Sequence, residues 1–261
     1  MENSRNFIES LSRGLVLLSA LSESSSPLSL TELSDQLHLS KSTIQRLTYT
    51  LQHLGSLGRH EETKKYFLGS KVVSLGFSIM RTLGLREIAV PFLEEASREL
   101  DEAVNLAILD GTEIVYVERI KTQGIFTINL HVGSRLPAYC TSTGKVMLAF
   151  LPQKRLEELL ERIELKPFTC HTVKSKEELK RELKRIRERG FSINNEEGSI
   201  GLRSVAAPVR NYSGEVIAAV NIAVPSNRGP IRKLETFFAK KVIETADKIS
   251  FRLGYYKDKS K

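Results

Sequence analysis

Ser29-Leu30-Thr31-Glu32-Leu33-Ser34-Asp35-Gln36-Leu37-His38-Leu39-Ser40-Lys41-Ser42-Thr43-Ile44-Gln45-Arg46-Leu47-Thr48-Tyr49-Thr50-Leu51-Gln52-His53-Leu54 decides the fold of the first part of this chain. Leu30, Leu33 and Leu37 recur at helical spacing, and Ser29 with Glu32 makes a capping-box pattern at the start. After a His38-Leu39 corner, Ser40 is placed to cap a second helix whose inner stripe is Ile44, Leu47, Leu51 and Leu54. The opposite face carries Lys41, Ser42, Gln45, Arg46 and Tyr49, with Ser40 and Thr43 at its leading end. Such side chains donate to phosphates and reach base edges, the two tasks of a helix that reads double-stranded DNA. The plainer reading is an amphipathic helix pair whose polar face meets only water. The flanks favour DNA. Upstream, Leu11, Leu15, Leu18 and Leu21 predict a first helix with Arg13 on its exposed side. Downstream, Arg59 to Leu68 reads as a hairpin with a charged tip, a wing offering Arg59, Lys64 and Lys65 to the backbone.

A chain of 261 residues suits two domains. Its 41% hydrophobic and 27% charged residues describe a globular protein and exclude a disordered one. No run approaches the roughly 20 apolar residues of a membrane span. Met1-Glu2-Asn3-Ser4-Arg5 lacks the apolar core of a signal peptide, so a cytoplasmic location is expected. Cys140 and Cys170 have no CxxC spacing, which fits reduced thiols. The net charge of +8 does not itself argue for DNA, because the excess sits in 174–189 and 228–261. Residues 1–70 balance seven Lys/Arg against seven Asp/Glu, so the DNA reading rests on where the basic residues fall.

From Gly69 to Leu100 the pattern is helical, interrupted at Gly84. It then turns strand-like. Ala103–Leu109 leads through Asp110-Gly111, a hairpin signal, into Glu113–Glu118, and Phe126–Leu130 follows. Helices are expected at 144–151, 154–163 and 175–189, strands at 204–209 and 216–224, and a last helix from Ile231 to about Leu253. The expected architecture is α+β: a winged helix-turn-helix at 5–69, a linker helix at 70–84, and an antiparallel sheet with helices on its faces at 85–256.

Ser142, Thr143 and Gly144 would present free N–H groups at a helix start, where an anion is favoured; the plainer reading there is a cap and a loop. Asn194 to Ser204 is a polar loop entering a buried strand, and Asn221 lies inside the apolar run Ala218–Val224, where it needs partners. The rival class is a thiol enzyme using Cys140 near His131, or Cys170 beside His171; neither has an orienting acid. These residues match no zinc spacing, and neither metal nor cofactor is expected. A purely architectural DNA binder leaves the polar groups in the strands unexplained.

At these residues the chain resembles the IclR family of bacterial transcription regulators along essentially its whole length. The matching pieces are the winged helix-turn-helix at 29–68, Thr82–Glu87, Val132–Pro137, Thr143-Gly144-Lys145, Glu196-Glu197 and Gly201-Leu202-Arg203. It departs at Asn194, where an acidic residue or serine is usual, and at Arg210, where an aromatic is usual. The resemblance implies a GAF-like effector domain, assembly as homodimers or dimers of dimers on palindromic operators, and RNA polymerase as a candidate further partner. It implies that a small carboxylic acid is held by Ser142 and Thr143, Asn194, Ser204 and Asn221, with Ala223 at a further cavity position. Within the family, 128–142 and 201–206 look most like regulators of the protocatechuate and β-ketoadipate pathway, implying an aromatic or dicarboxylic acid. The alternative is a regulator of a non-aromatic carbon pathway, of the glyoxylate or sugar-acid type.

Overall fold

The computed structural model describes residues 7–24, 26–72, 84–120 and 130–256, in two compact units, Met1–Thr82 and Leu83–Lys261. The linker helix expected at 70–84 falls mostly on 73–83, and the strand at 126–130 on 121–129, both outside the described residues.

The first unit holds α1 (Glu9–Glu23), α2 (Leu30–Leu37), α3 (Lys41–His53) and the hairpin β1 (Leu57–Arg59) and β2 (Tyr66–Leu68). The capping box at α2 is complete: Glu32 N–H donates to Ser29 Oγ at 3.2 Å and Ser29 N–H to Glu32 Oε2 at 2.6 Å. The helix stops where His38 turns left-handed at φ 52°. Ser40 then caps α3, its Oγ accepting from Thr43 N–H at 3.2 Å. Leu17, Leu21, Leu33, Ile44, Leu57 and Tyr66 form the core. The stripe on α1 differs from the sequence expectation. Leu17 and Leu21 are buried, with Gly14 and Ala20, while Leu11 and Leu15 stay more than half exposed. The helix carries apolar residues on two sides, and only one side meets α2 and α3. Leu54, which caps the end of α3, is likewise exposed, whereas Thr48 within the helix is buried, its hydroxyl turning back to Gln45 O at 3.1 Å.

The second unit opens with α4 (Leu85–Leu100), which accommodates Pro91 in its interior. A six-stranded antiparallel sheet follows in the order β5-β4-β3-β8-β7-β6. Its strands are β3 (Ala103–Asp110), β4 (Glu113–Ile120), β5 (Arg135–Pro137), β6 (Ser192–Asn195), β7 (Leu202–Arg210) and β8 (Val216–Pro225). The short edge strands β5 and β6 were not expected; each pairs along one side only, and neither has an alternating apolar pattern. Helices α5 (Ser142–Ala149), α6 (Gln153–Arg162) and α7 (Lys176–Arg189) come between β5 and β6. After β8 come α8 (Ile231–Lys233), a π-helical turn (Leu234–Phe238) and α9 (Ala239–Arg252).

The two faces of the sheet are buried differently. Val104, Leu106, Val205, Val220 and Ile222 pack under α4 and α9, which are also linked by Lys248–Glu95 and Lys241–Glu99 ion pairs at 2.9 Å. Ala107, Tyr116, Ala206 and Ala219 face α5, α6 and α7. On that second face the register lines up Arg119, Asn105, Asn221 and Ala206 in one row, and Ala103, Ala223, Ser204 and Asn194 in the next. Polar side chains there meet small ones, and a cavity is left.

Candidate functional sites

In the first unit, Lys41, Ser42, Gln45, Arg46 and Tyr49 lie exposed on α3, Tyr49 at 71%. Among the described residues no hydrogen bond or ion pair engages the side chains of Lys41, Gln45, Arg46 or Tyr49. Ser40, Ser42 and Thr43 form a hydroxyl cluster at the helix start, Ser40 Oγ lying 3.0 Å from Ser42 Oγ and 2.8 Å from Thr43 Oγ1. Arg13 pairs with Glu9 one turn earlier on α1.

The wing is more committed to its own fold. Arg59 Nε donates to Lys64 O at 3.0 Å and its guanidinium lies 5.2 Å from the Tyr66 ring centre. Lys65 Nζ reaches Glu32 at 3.3 Å, tying the wing to the start of α2. Glu32 is held below the usual carboxylate range by its bonds to Ser29 and then by Lys65. Lys64, left-handed at φ 56°, points outward at the tip.

In the second unit, a cavity of about 510 Å³ lies between the polar rows of the sheet and the entrance to α5. Ser142, Asn194, Ser204 and Asn221, expected from the sequence, line it, together with Ala223. Ser142 Oγ and Ser204 Oγ are 2.7 Å apart. Asn194 spends its amide on the fold, donating to Cys140 O and accepting from Glu197 N–H at 3.1 Å. Thr143 and Gly144 stand behind the wall and are not among the lining residues. The helix cap is Thr141, whose Oγ1 accepts from Gly144 N–H at 3.2 Å. The N–H groups left over at this start, among the described residues, are those of Ser142 and Thr143. Position 144 must be glycine, because a Cβ there would stand 2.2 Å from Ala138 O.

Lys145 and Glu197 form a buried ion pair at 2.5 Å, and Lys145 also donates to Ile193 O at 2.8 Å. The Thr143-Gly144-Lys145 and Glu196-Glu197 pieces of the sequence are therefore joined. Arg203 extends the clasp with Glu196 at 3.0 Å and Asn195 at 2.7 Å.

Several cavity residues had escaped the sequence reading. Asn105 donates from Nδ2 to Asn221 Oδ1 at 2.8 Å, and its own Oδ1 is buried with no hydrogen-bond partner among the described residues. It carried the same signal as Asn221, a carboxamide inside an apolar strand. Tyr116 and Arg119 on β4 and the Glu102–Arg228 pair (3.1 Å) also line the cavity. Nothing in their local sequence marks them: the Asp110-Gly111 hairpin pairs β4 with β3, but only the complete fold brings that pair against the entrance to α5. Burial pushes the Tyr116 phenol up to about 12 and lowers Arg119, the two groups opposing this for each other. Burial, followed by the charge of Glu197, lifts the Cys140 thiol to about 12, so at neutral pH it is protonated and a poor nucleophile. Among the described residues no group of His, Cys, Asp and Glu is arranged to hold a metal, and no helix is long and apolar enough to cross a membrane.

A winged helix-turn-helix with an unengaged polar recognition face, on one chain with an α+β unit enclosing a polar-floored cavity, defines a class: DNA-binding regulators with a ligand-binding domain. The comparisons with known proteins agree. Residues 10–61 match the IclR helix-turn-helix domain and residues 77–251 the bacterial transcriptional regulator IclR C-terminal domain. The chain belongs to the IclR family of bacterial transcription regulators. It is 35% identical to the transcriptional regulator XynR of Escherichia coli K12, covering 95% of this chain and 98% of that one. It is also 35% identical to the Pca regulon regulatory protein of Pseudomonas putida, over 89% and 80%. A crystal structure of a transcriptional regulator from Rhodococcus sp. RHA1 superposes with a TM-score of 0.81 at 34% identity, covering 95% of this chain and 98% of that one. Equal identity to XynR and to the Pca regulator singles out neither branch.

Proposed function

We propose that this regulator works in the cytoplasm, reads a palindromic operator through α3 and the wing, and is switched by a small organic acid held in the cavity. Residues 5–69 serve as the DNA-binding domain and 85–256 as the effector domain. The observation that carries the acid reading is the entrance to α5. There the N–H groups of Ser142 and Thr143 stand at the positive end of a helix beside the Ser142–Ser204 hydroxyl pair, at the edge of the cavity. A carboxylate accepts from that helix start. Asn221 presents a carboxamide to the rest of the molecule, and Ala223, Leu136 and Phe168 cover its carbon skeleton. Gly144 supplies close packing here rather than an N–H, and Asn194 shapes the wall. Such a ligand regulates by binding one arrangement of the protein better than another.

Leu11, Leu15 and Val16 on α1, with Phe7 and Ile8 just before it, are apolar and at least half exposed. A second copy of the chain would cover them, which favours a homodimer and matches a palindromic site. The test is a gel shift on the chain's own upstream DNA with and without candidate acids. The Ser204→Val/Asn221→Val double variant should bind the same DNA and lose the acid response. A normal response in that variant would move the effector site elsewhere.

A further inference from the structure

We propose that the ion pair between Arg86 and Glu118 ties the wall of the cavity to the root of the segment that leads to the DNA-binding unit, and that Arg86 is a positioning residue in the signal between them. The inference rests on the reading of the cavity as the effector site. The second unit begins at Leu83, and Gly84, left-handed at φ 54° with no side-chain cap, starts α4. Leu85, Ala89 and Leu93 then hold the helix to the core by apolar contact. Arg86 does not line the cavity. Partly exposed on the first turn of α4, it donates from Nη2 to Glu118 Oε2 at 2.7 Å.

A β-bulge brings that contact about. In the pairing of β3 with β4, Leu106 faces Glu118 and Ala107 faces Tyr116, so Val117 is an extra residue. In a regular strand Tyr116 and Glu118 would share a face. The bulge instead keeps Tyr116 and Arg119 on the cavity side and turns Glu118, beside Leu106, to the side covered by α4. There its carboxylate works in two directions. Oε2 accepts from Arg86, and Oε1 accepts from the backbone N–H of Arg119 at 2.7 Å. The Glu118 side chain is 9% exposed, and a carboxylate so buried is costly to leave without its cation. A ligand that shifts β4 at Tyr116 or Arg119 therefore carries Arg86 and the first turn of α4 along with it. Linked equilibria are reciprocal, so what DNA does to the root of α4 must reach β4 in return.

The test is amide hydrogen exchange of the full chain, free and saturated with its own upstream DNA. It uses no acid, so its failure is distinct from a failure of the effector reading, which the gel shift decides. In the parent, DNA should change exchange within β4 (113–120) by about fivefold or more, the lower end of ordinary coupling between sites. Exchange in α6, on the other face of the sheet, should not change. In Arg86→Met the DNA effect on β4 should vanish; Arg86→Lys, which keeps the charge, should retain it. Saturating each variant removes any difference in DNA affinity. A pair that only stabilises the unit would, when broken, speed exchange alike with and without DNA and leave their ratio as in the parent. If Arg86→Met fails to fold, Glu118→Gln decides: it keeps the shape, and most of the DNA effect should be lost. No DNA effect on β4 in the parent, or one that survives in Arg86→Met or in Glu118→Gln, overturns the tie and leaves the cavity reading standing.

Discussion

The two units place their functional side chains in opposite relations to their cores. On α3, the exposed side chains of Arg46, Gln45 and Tyr49 make no hydrogen bond or ion pair among the described residues, and the fold beneath them rests on Ile44, Leu33 and Leu17. Around the cavity the same side chains that line it also hold the structure. Asn194 ties β6 to the segment before α5, Ser142 bonds Ser204, and Lys145 is buried against Glu197 just behind the wall. A surface that binds a large external partner can be added to a finished core. A small enclosed site has to be assembled out of the core itself, and substitutions in the two places should separate binding from stability differently.

The largest effect is expected at Lys145. Replacing it by Met leaves the Glu197 carboxylate buried without its cation, a loss on the order of 3–5 kcal/mol. Thermal unfolding of the second unit should drop steeply, and acid binding with it. A Lys145→Met/Glu197→Leu double variant should recover much of the stability, because two apolar groups of similar size need no charge partner. Equal stability of parent and single variant would mean that the cavity wall is as independent of the core as α3 is.

Arg46→Ala should do the reverse. Operator affinity should fall by about 1–3 kcal/mol if the side chain contacts a base, and by less for a phosphate contact. The melting temperature should stay within experimental error, since Arg46 is exposed and its side chain makes no hydrogen bond or ion pair among the described residues. A variant that binds the operator as the parent does would show that another face of α3 enters the groove.

This contrast also explains what could be read before the structure was known. The capping box, the His38 corner and the polar face of α3 are all local, and residues three or four apart report them directly. The burial of α1 was legible only in part, because Leu11 and Leu15 are as apolar as Leu17 and the sequence does not say which side meets a neighbour. Ser142, Ser204 and Asn221 were found because hydroxyls at a helix start and an Asn in an apolar strand are local anomalies. Arg119 and Tyr116 were missed because the hairpin tells which strand lies beside β4 but not which of its side chains the helices on that face leave beside a cavity. The edge strands β5 and β6 owe their form to β4 and β7 rather than to their own composition.

Within the DNA-binding unit the wing tests the comparison at finer grain. Lys64 is exposed at the tip, whereas Lys65 is held by Glu32 at 3.3 Å. If only free cations meet phosphates, Lys64→Ala should reduce the salt dependence of binding by about one unit of log-log slope. Lys65→Ala should change it by less and act mainly by loosening the wing. The ion pair is exposed to solvent, so its loss should cost little stability. Equal slopes for both variants would mean that Lys65 leaves Glu32 for the phosphate when DNA binds.

The smallest effect is expected at the cavity rim, where Glu102 is buried beside Arg228. Desolvation raises its carboxyl above the ordinary value and Asp101 adds to this, while Arg228 and Lys233 pull it down; desolvation wins. A carboxyl raised in the folded state favours folding while protonated, and that advantage is lost as the pH rises through its folded value. Glu102→Gln keeps the shape and removes the charge. It should leave the melting temperature of the second unit unchanged near pH 4 and raise it by a few degrees at most near pH 7. A fall at neutral pH would mean that the bond to Arg228 outweighs the burial. A pH-independent shift would mean that the side chain acts through packing alone. The expected result would place at the rim a carboxylate that costs stability, the mark of a site whose lining belongs to the fold and also answers to a ligand.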